Sequence, residues 1–218
     1  MFDTIHEEIE PKLIFEHRGG NEQITPRKQL LLFLCYMANN ETFRELGQYF
    51  GVGKSTAHVC IARVLEAFCE IFLDIIQWPS LQRQDELSRE IQLLHMLPNI
   101  IGAIDGTHIR LSSCPSNDND YYNRKGFPSM QLQAVERTIG HVKGRFRRLR
   151  ELIIHEPKQI VLTILAGCIL HNLCIIAHED IDLYIDRDND NHPKNYVNIF
   201  QNDVGGVEIR QQMMENLP

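Results

Sequence analysis

The stretch Thr42-Phe43-Arg44-Glu45-Leu46-Gly47, followed at once by Gln48-Tyr49-Phe50-Gly51-Val52-Gly53-Lys54-Ser55-Thr56, predicts two helices joined by a tight turn. Thr42 and Glu45 form a capping box, because each side chain can satisfy a backbone donor of the other residue. Gly47 permits a close crossing of the two helices, and Gly51 suits the turn between them. The stretch therefore favours a helix-turn-helix over residues 42–62, with an ordinary helical hairpin as the alternative.

The second helix of this pair is expected to begin with Ser55 as its capping residue and to continue to Ile76, before Trp78-Pro79. Val59 is expected in the core that the two helices share. In helix-turn-helix proteins that bind DNA, the start of the second helix enters the major groove. The residues expected to contact DNA there are Lys54, Ser55, Thr56 and His58.

The rest of the chain predicts a mixed region of strands and helices. A short apolar strand is predicted over 100–105, with Asp105 at its end, and residues 107–111 extend it. In residues 129–135, apolar and polar side chains alternate as in a half-buried strand. A basic helix is expected over 136–154 and an apolar core helix over 160–176. The predicted fold class is α+β or α/β. The predicted domains are a helical region 1–80 with the helix-turn-helix at about 42–76, a second domain 98–176, and an acidic loop with a terminal helix over 177–218.

Charge is distributed unevenly along this chain of 218 residues and net charge −7. Residues 121–151 contain eight Lys and Arg against two acids, which gives a local charge of +6. This asymmetry indicates either a cationic surface for nucleic acid or a solvated basic helix face. The basic residues expected to contact nucleic acid are Arg124, Lys125, Lys143, Arg145, Arg147 and Arg148.

Two acids in this second region have the chemistry of a metal site. Asp105 lies in Ile104-Asp105-Gly106-Thr107-His108-Ile109, and Glu136 lies at the start of the basic helix. Carboxylates that share divalent ions can cleave phosphodiester bonds. Only 31 positions separate the two acids, and the intervening stretch offers no third acid in a comparable setting. One metal site is therefore conceivable, whereas a bridged pair of ions is not.

The order of these motifs resembles the Harbinger transposase-derived nuclease family, relatives of the PIF/Harbinger DDE transposases. Besides the helix-turn-helix and the Asp105 motif, the resemblance rests on Tyr122-Asn123-Arg124-Lys125-Gly126-Phe127, Val135-Glu136-Arg137-Thr138-Ile139-Gly140 and Leu170-His171-Asn172. It covers most of residues 26–176 and implies a ribonuclease H-like catalytic domain. In that domain Asp105 matches the first acid and Glu136 the third. The second acid has no counterpart, as though the segment between Val135 and Glu136 had been deleted.

The resemblance implies a metal-dependent DNA endonuclease that uses Mg²⁺ or Mn²⁺, with Asp105 and Glu136 as catalytic metal ligands and with activity impaired by the missing acid. The alternatives are a catalytically inactive DNA-binding or protein-binding derivative, and the truncated product of a splice form or gene model. The resemblance also implies a nuclear location, with the cytoplasm as a second one, and a Myb-like protein partner. No membrane association is expected, because no uncharged apolar run approaches the ~20 residues that span a bilayer.

Overall fold

A computed structural model of the chain describes residues 1–15, 22–115 and 119–178, without the side chains of residues 135–138. Met1–Trp78 and the described residues from Ala103 onward form one compact unit, and Pro79–Gly102 belongs to a second. The domain boundaries predicted from the sequence stay predictions. The predicted acidic loop and terminal helix lie outside the described residues, apart from the first two positions of that segment.

The first unit begins with four helices, which are α1 (Phe2–Leu13), α2 (Pro26–Ala38), α3 (Phe43–Phe50) and α4 (Lys54–Phe72). α1 buries Ile5, Ile9 and Leu13, whose spacing of four residues places them on one face. The Thr25 hydroxyl caps α2 by accepting a hydrogen bond from Lys28 N at 3.4 Å. Pro26 at the first helical position also favours a helix that begins here.

Two details predicted for α4 are wrong. Gly53, not Ser55, occupies the N-cap position, and no side chain caps the helix. Val59 is 50% exposed, so it lies outside the core that α3 and α4 share, whereas Leu46 is fully buried in it. A three-residue 3₁₀ turn, Leu73–Ile75, ends α4 a few residues before the predicted end at Ile76.

In the described part of the chain, the sheet has three strands in the order β2-β1-β3, with β1 (Ile104–Leu111), β2 (Ser129–Val135) and β3 (Glu151–Leu152). β1 is antiparallel to β2, with Ile104 opposite Val135, and parallel to the short β3. The strand predicted over 129–135 is confirmed. The strand predicted to begin at residue 100 begins only at Ile104, so Asp105 lies near the start of a strand and not at its end.

The basic helix is shorter than predicted. α6 (Glu136–Arg145) follows β2 without an intervening residue, and a 3₁₀ turn, Arg147–Arg150, then leads into β3. The prediction of one helix to residue 154 is wrong because Phe146, Arg148 and Leu149 are all buried. A continuous helix of 3.6 residues per turn would not place positions 146, 148 and 149 on one face.

α7 (Pro157–Ile176) is the predicted apolar core helix. Its Gly167 lies so close to α2 and the 3₁₀ turn that an added Cβ would approach Leu149 Cδ1 to 2.4 Å and Met37 Cε to 3.6 Å. Contrary to the expectation that no apolar run is long enough, α7 could cross a membrane by length and composition alone, but half of its most apolar stretch is buried in this protein. The mixed architecture confirms the predicted α+β class.

The second unit contains α5 (Leu81–His95), which the sequence analysis did not predict. The Ser80 hydroxyl caps the helix by accepting a hydrogen bond from Arg83 N at 3.3 Å. The Arg83 guanidinium forms ion pairs with Glu86 and Glu90, each at 3.0 Å. Capping and ion pairs stabilise α5 locally.

Candidate nucleic-acid interface and acidic site

The turn between α3 and α4 has the geometry of a helix-turn-helix. The Thr42 hydroxyl accepts a hydrogen bond from Glu45 N at 3.3 Å, and the Glu45 carboxylate accepts one from Thr42 N at 2.7 Å. Hydrogen bonds from Thr42 N and from the Thr42 hydroxyl to the carboxylate lower the pKa of Glu45. Gly51 has a φ of +62°, and a Cβ on Gly47 would lie 2.6 Å from Val52 O. Both predicted glycine roles are therefore confirmed, since each position tolerates a larger side chain poorly.

The first turns of α4 present the four residues that the sequence predicted for DNA contact. Lys54, Ser55, Thr56 and His58 are all exposed, while Ala57 between them is fully buried. The His58 ring packs edge-on against Phe43, with the ring centroids 4.8 Å apart. Phe43 thus holds His58 at the surface of the helix pair. The structure presents this surface to solvent, and DNA contact by these residues stays a prediction.

Two of the predicted basic contacts lie in a tight turn that follows a 3₁₀ helix, Asn119–Tyr121. Asn123 shapes this turn, because its carbonyl accepts a hydrogen bond from Gly126 N at 3.0 Å and its side-chain oxygen accepts one from Lys125 N at 2.8 Å. Gly126 has a φ of +77°. Arg124 and Lys125 are exposed at the tip of the turn, so their cationic groups are accessible to a ligand.

The remaining predicted basic residues occupy three different settings. Arg147 is exposed, and Arg145 is half-buried. The Lys143 ammonium donates to Thr107 Oγ1 at 2.7 Å and to His108 O at 2.9 Å, so it joins α6 to β1. Lys143 is therefore part of the sheet surface rather than of an extended cationic helix face.

The prediction that Arg148 contacts nucleic acid is wrong, because its side chain is buried at 3% exposure. Its guanidinium donates to Tyr36 O at 3.2 Å and to Glu41 O at 2.5 Å, and it stacks 4.0 Å from the centre of the Tyr36 ring. Burial lowers the pKa of Arg148. Arg148 instead holds the end of α2 and the segment that leads into α3. Sequence reasoning missed this role because a buried arginine looks like its exposed neighbours in a basic run.

The register of the sheet brings the two predicted metal ligands to neighbouring backbone positions. Asp105 pairs with Ala134, and Glu136 lies two residues further on, at the first position of α6. The Asp105 side chain is exposed, and its carboxylate accepts a hydrogen bond from Gly106 N at 2.7 Å. Asp105 lies on the same face of β1 as Thr107, because side chains on a strand alternate between faces. Lys143 therefore places an ammonium group two residues along the strand from this carboxylate.

Two carboxylates would suit one divalent ion and not a bridged pair, and the metal site stays a prediction. Among the described side chains, no three His, Cys, Asp or Glu residues are grouped as metal ligands. Asp105 with Glu136 would supply two carboxylates, and Mg²⁺ commonly binds one or two carboxylates and keeps several waters. His108 faces the other side of β1, where its Nδ1 lies 3.0 Å from Ser129 Oγ.

His171, the other histidine of interest, lies in the core at 1% exposure. Burial, followed by charge interactions with Arg145 and His141, lowers the pKa of His171 to about 4. The His141 ring meets it edge-on at 6.2 Å between centroids. Its position on the buried side of the apolar helix α7 accounts for this low exposure.

Comparison with known proteins finds relatives for about half of this chain. Residues 23–73 match the helix-turn-helix of DDE superfamily endonucleases. The protein named "antagonist of like heterochromatin protein 1" from Arabidopsis thaliana is 32% identical over 51% of this chain and 28% of its own length. HARBI1 of Rattus norvegicus, named as a candidate nuclease, is 28% identical over 51% of this chain and 32% of its own length. An ALP1-like protein of Arabidopsis thaliana is 32% identical over 56% of this chain and 30% of its own length.

The chain thus matches less than a third of the length of each of these relatives. No solved structure matches it, so the description of its sheet as a truncated ribonuclease H-like core stays a prediction.

Proposed function

We propose that this chain, which resembles Harbinger transposase-derived nucleases over about half of its length, is a DNA-binding protein of nuclease descent whose helix α4 contacts the major groove. One observation carries this proposal. The exposed start of α4 follows a turn fixed by a capping box and by the close approach of Gly47 to Val52. A surface ordered in this way can dock into a groove without a large entropic cost.

Charge on this surface is modest but well placed. Lys54 is exposed at the first position of α4, and the first backbone N–H groups of that helix add a partial positive charge. Ser55 and Thr56 supply hydroxyl groups that can bind phosphate or base edges. Arg124 and Lys125 offer a second cationic surface on the same unit. Binding should therefore fall steeply with salt, despite the net charge of −7.

Fluorescence anisotropy of duplex DNA, measured over a range of salt concentrations, tests this proposal. Lys54→Ala should weaken binding and reduce the slope of log K against log salt by about 0.9, the value expected for one lost phosphate contact. Lys12→Ala is the matched control, because it removes the same charge from an exposed lysine that pairs with Glu70 on the far part of α4. Equal slopes for the two variants, or no binding by the wild type, would refute the role of α4.

A second function, metal-dependent phosphodiester cleavage, is favoured by the strand register. Asp105 and Glu136 would hold one Mg²⁺ or Mn²⁺ ion, which would polarise a bound phosphate when present. The Lys143 ammonium beside Thr107 would bind and orient a phosphate oxygen near Asp105. We propose that such activity is reduced in this chain, because two carboxylates cannot hold the pair of ions that clamps both reacting oxygens.

Titration calorimetry with Mn²⁺ tests the metal site without relying on activity. Asp105→Asn keeps an oxygen that can accept the Gly106 hydrogen bond but removes the charge, so it should abolish the binding heat. Asp74→Asn, at another exposed aspartate, should leave the heat unchanged. Equal heats for wild type and Asp105→Asn would exclude Asp105 as a ligand. The chain would then be better described as the inactive DNA-binding derivative.

A nuclear location and a Myb-like protein partner are proposed on the same family resemblance. A fluorescently tagged chain should accumulate in the nucleus, and exclusion from the nucleus would contradict a DNA-binding role in cells.

A further inference from the structure

β2 presents an open edge of the sheet. Within the described part of the chain, β2 pairs with β1 alone, because the strand order is β2-β1-β3. Leu111 N donates to Pro128 O at 2.9 Å, and this bond shows which residues of β2 direct their backbone groups toward β1. Backbone groups therefore point toward β1 at Leu132 and away from it at Gln131 and Gln133. An edge with outward N–H and C=O groups is a template for another strand.

The usual protection of such an edge is absent from β2. Its sequence, Ser-Met-Gln-Leu-Gln-Ala-Val, contains no charged residue and no proline. All seven residues pair with β1 in continuous register, so no bulge twists the strand away. Natural edge strands are commonly blocked by lysine, proline or a bulge. β2 has none of these devices, and it is long enough to pair along its whole length.

An apolar groove of about 500 Å³ lies beside this edge. Leu132 and Ala134 of β2 line one wall, and Val161, Leu165 and Cys168 of α7 line the other. Val161 is 51% exposed although α7 is apolar on nearly all faces. A strand added to β2 would place every second side chain over this groove and remove that apolar surface from water.

We propose that a second copy of this chain occupies the edge, with β2 pairing antiparallel to β2 about a two-fold axis at Leu132. Gln131 then exchanges both backbone hydrogen bonds with the partner subunit's Gln133, which is the pairing that the outward groups allow. On the apolar face Leu132 meets its own copy, and the large Met130 meets the small Ala134 of the partner subunit. This self-complementary pattern is what a two-fold interface requires.

The uncharged strand also explains why a copy fits better than a charged partner. Two chains of net charge −7 repel each other overall, yet β2 brings no charge to the contact. Amide side chains of Gln131 and of the partner subunit's Gln133 face each other on the opposite side of the sheet, where they can exchange hydrogen bonds. The two three-stranded sheets would become one sheet of six strands.

Disulfide trapping of the full-length chain tests the register. Leu132→Cys places two introduced thiols across the two-fold axis at a non-hydrogen-bonded pair, where Cα atoms lie about 4.5 Å apart. Gln131→Cys is the matched control, since its Cα atoms would be about 8–9 Å apart, too far for a disulfide. Under mild oxidation the first variant should form covalent dimers at least tenfold faster than the control. Equal rates, or rates no faster than those from the six native cysteines, would overturn the proposed pairing.

Light scattering provides the second test. The wild type should have about twice the 25.3 kDa mass of one chain, and the Gln131→Pro variant should have the mass of a single chain. Gln131→Pro removes only an outward N–H, so β2 keeps its bonds to β1; Gln131→Thr should remain dimeric. A wild-type monomer at 100 µM would refute the proposal, whether the edge is open or covered by another part of the same chain. A dimer unaffected by Gln131→Pro would place the interface elsewhere.

Discussion

Replacing Arg148 by methionine should destabilise the fold without weakening DNA binding. The guanidinium donates to the carbonyls of Tyr36 and Glu41 and stacks on the Tyr36 ring. Tyr36 lies in the last turn of α2, where helix carbonyls lack partners within the helix. Arg148 therefore caps that helix end with a buried positive charge. Methionine preserves most of the side-chain volume but leaves both carbonyls without this donor.

The expected magnitude is a balance of opposing terms. Two hydrogen bonds from a charged donor contribute ~3–6 kcal/mol, and the stacked ring adds ~1–2 kcal/mol. Burial of the cation costs several kcal/mol, in line with the lowered pKa of Arg148. The net loss in free energy of unfolding should be about 2–3 kcal/mol. For a chain of this size, that loss lowers the melting temperature by about 4–12 °C.

Urea unfolding followed by far-ultraviolet circular dichroism measures this loss, with Arg44→Met as the control on an exposed arginine of the same unit. The control should change stability by less than about 0.5 kcal/mol. DNA affinity and its salt slope, measured at a temperature where both variants are folded, should be unchanged by Arg148→Met. The reasoning is refuted if Arg148→Met is as stable as Arg44→Met, or if it loses DNA affinity while remaining fully folded.

Two further predictions concern the turn and the core. Gly47→Ala should lower the free energy of unfolding in urea by about 1–3 kcal/mol, because its Cβ would lie 2.6 Å from Val52 O. Gly53→Ala should lower it less, since its Cβ would meet only Thr56 Oγ1 at 3.6 Å. Equal losses for the two variants would exclude the close approach at Gly47 as the cause. For His171, the unfolded chain binds a proton near pH 6.5 and the folded chain only near pH 4, so the free energy of unfolding should fall by about 3 kcal/mol as the pH drops from 6.5 to 4. His171→Leu should flatten that part of the stability profile, and an equally steep profile for the variant would assign the effect to other groups.

Local signals predicted the helix-turn-helix because its geometry depends on residues close in sequence. The capping box needs only Thr42 and Glu45, and the turn needs only Gly47 and Gly51. The end of α6 depends instead on distant partners. Helical periodicity favours continuation past residue 145, but the chain leaves the helix so that Arg148 can reach Tyr36, 112 positions away. Such a contact leaves no trace in the local pattern of charges.

Sequence motifs identify Asp105 and Glu136 as the candidate acids. Their position in the fold depends instead on the register between β1 and β2. Asp105 was expected at a strand end because Ile100 and Ile101 extend the apolar run before it. In the structure residues 101–103 form no strand, and pairing begins where Val135 meets Ile104. Hydrophobicity reports which residues can form a strand, but the register of the partner strand decides where it begins.

One feature, the direct passage from β2 into α6, underlies both the acidic pair and the open edge. Because Val135 is followed at once by Glu136, the backbone of Glu136 lies beside the strand that bears Asp105. After β2 the chain turns back toward β1, where the Lys143 ammonium of α6 donates to Thr107 Oγ1. The segment that follows β2 therefore does not pair with the outer edge of β2. In the described part of the chain, the outer edge of β2 pairs with no other strand. The proposed metal site and the proposed two-fold interface therefore both depend on β2, and its register on β1 would set the geometry of each.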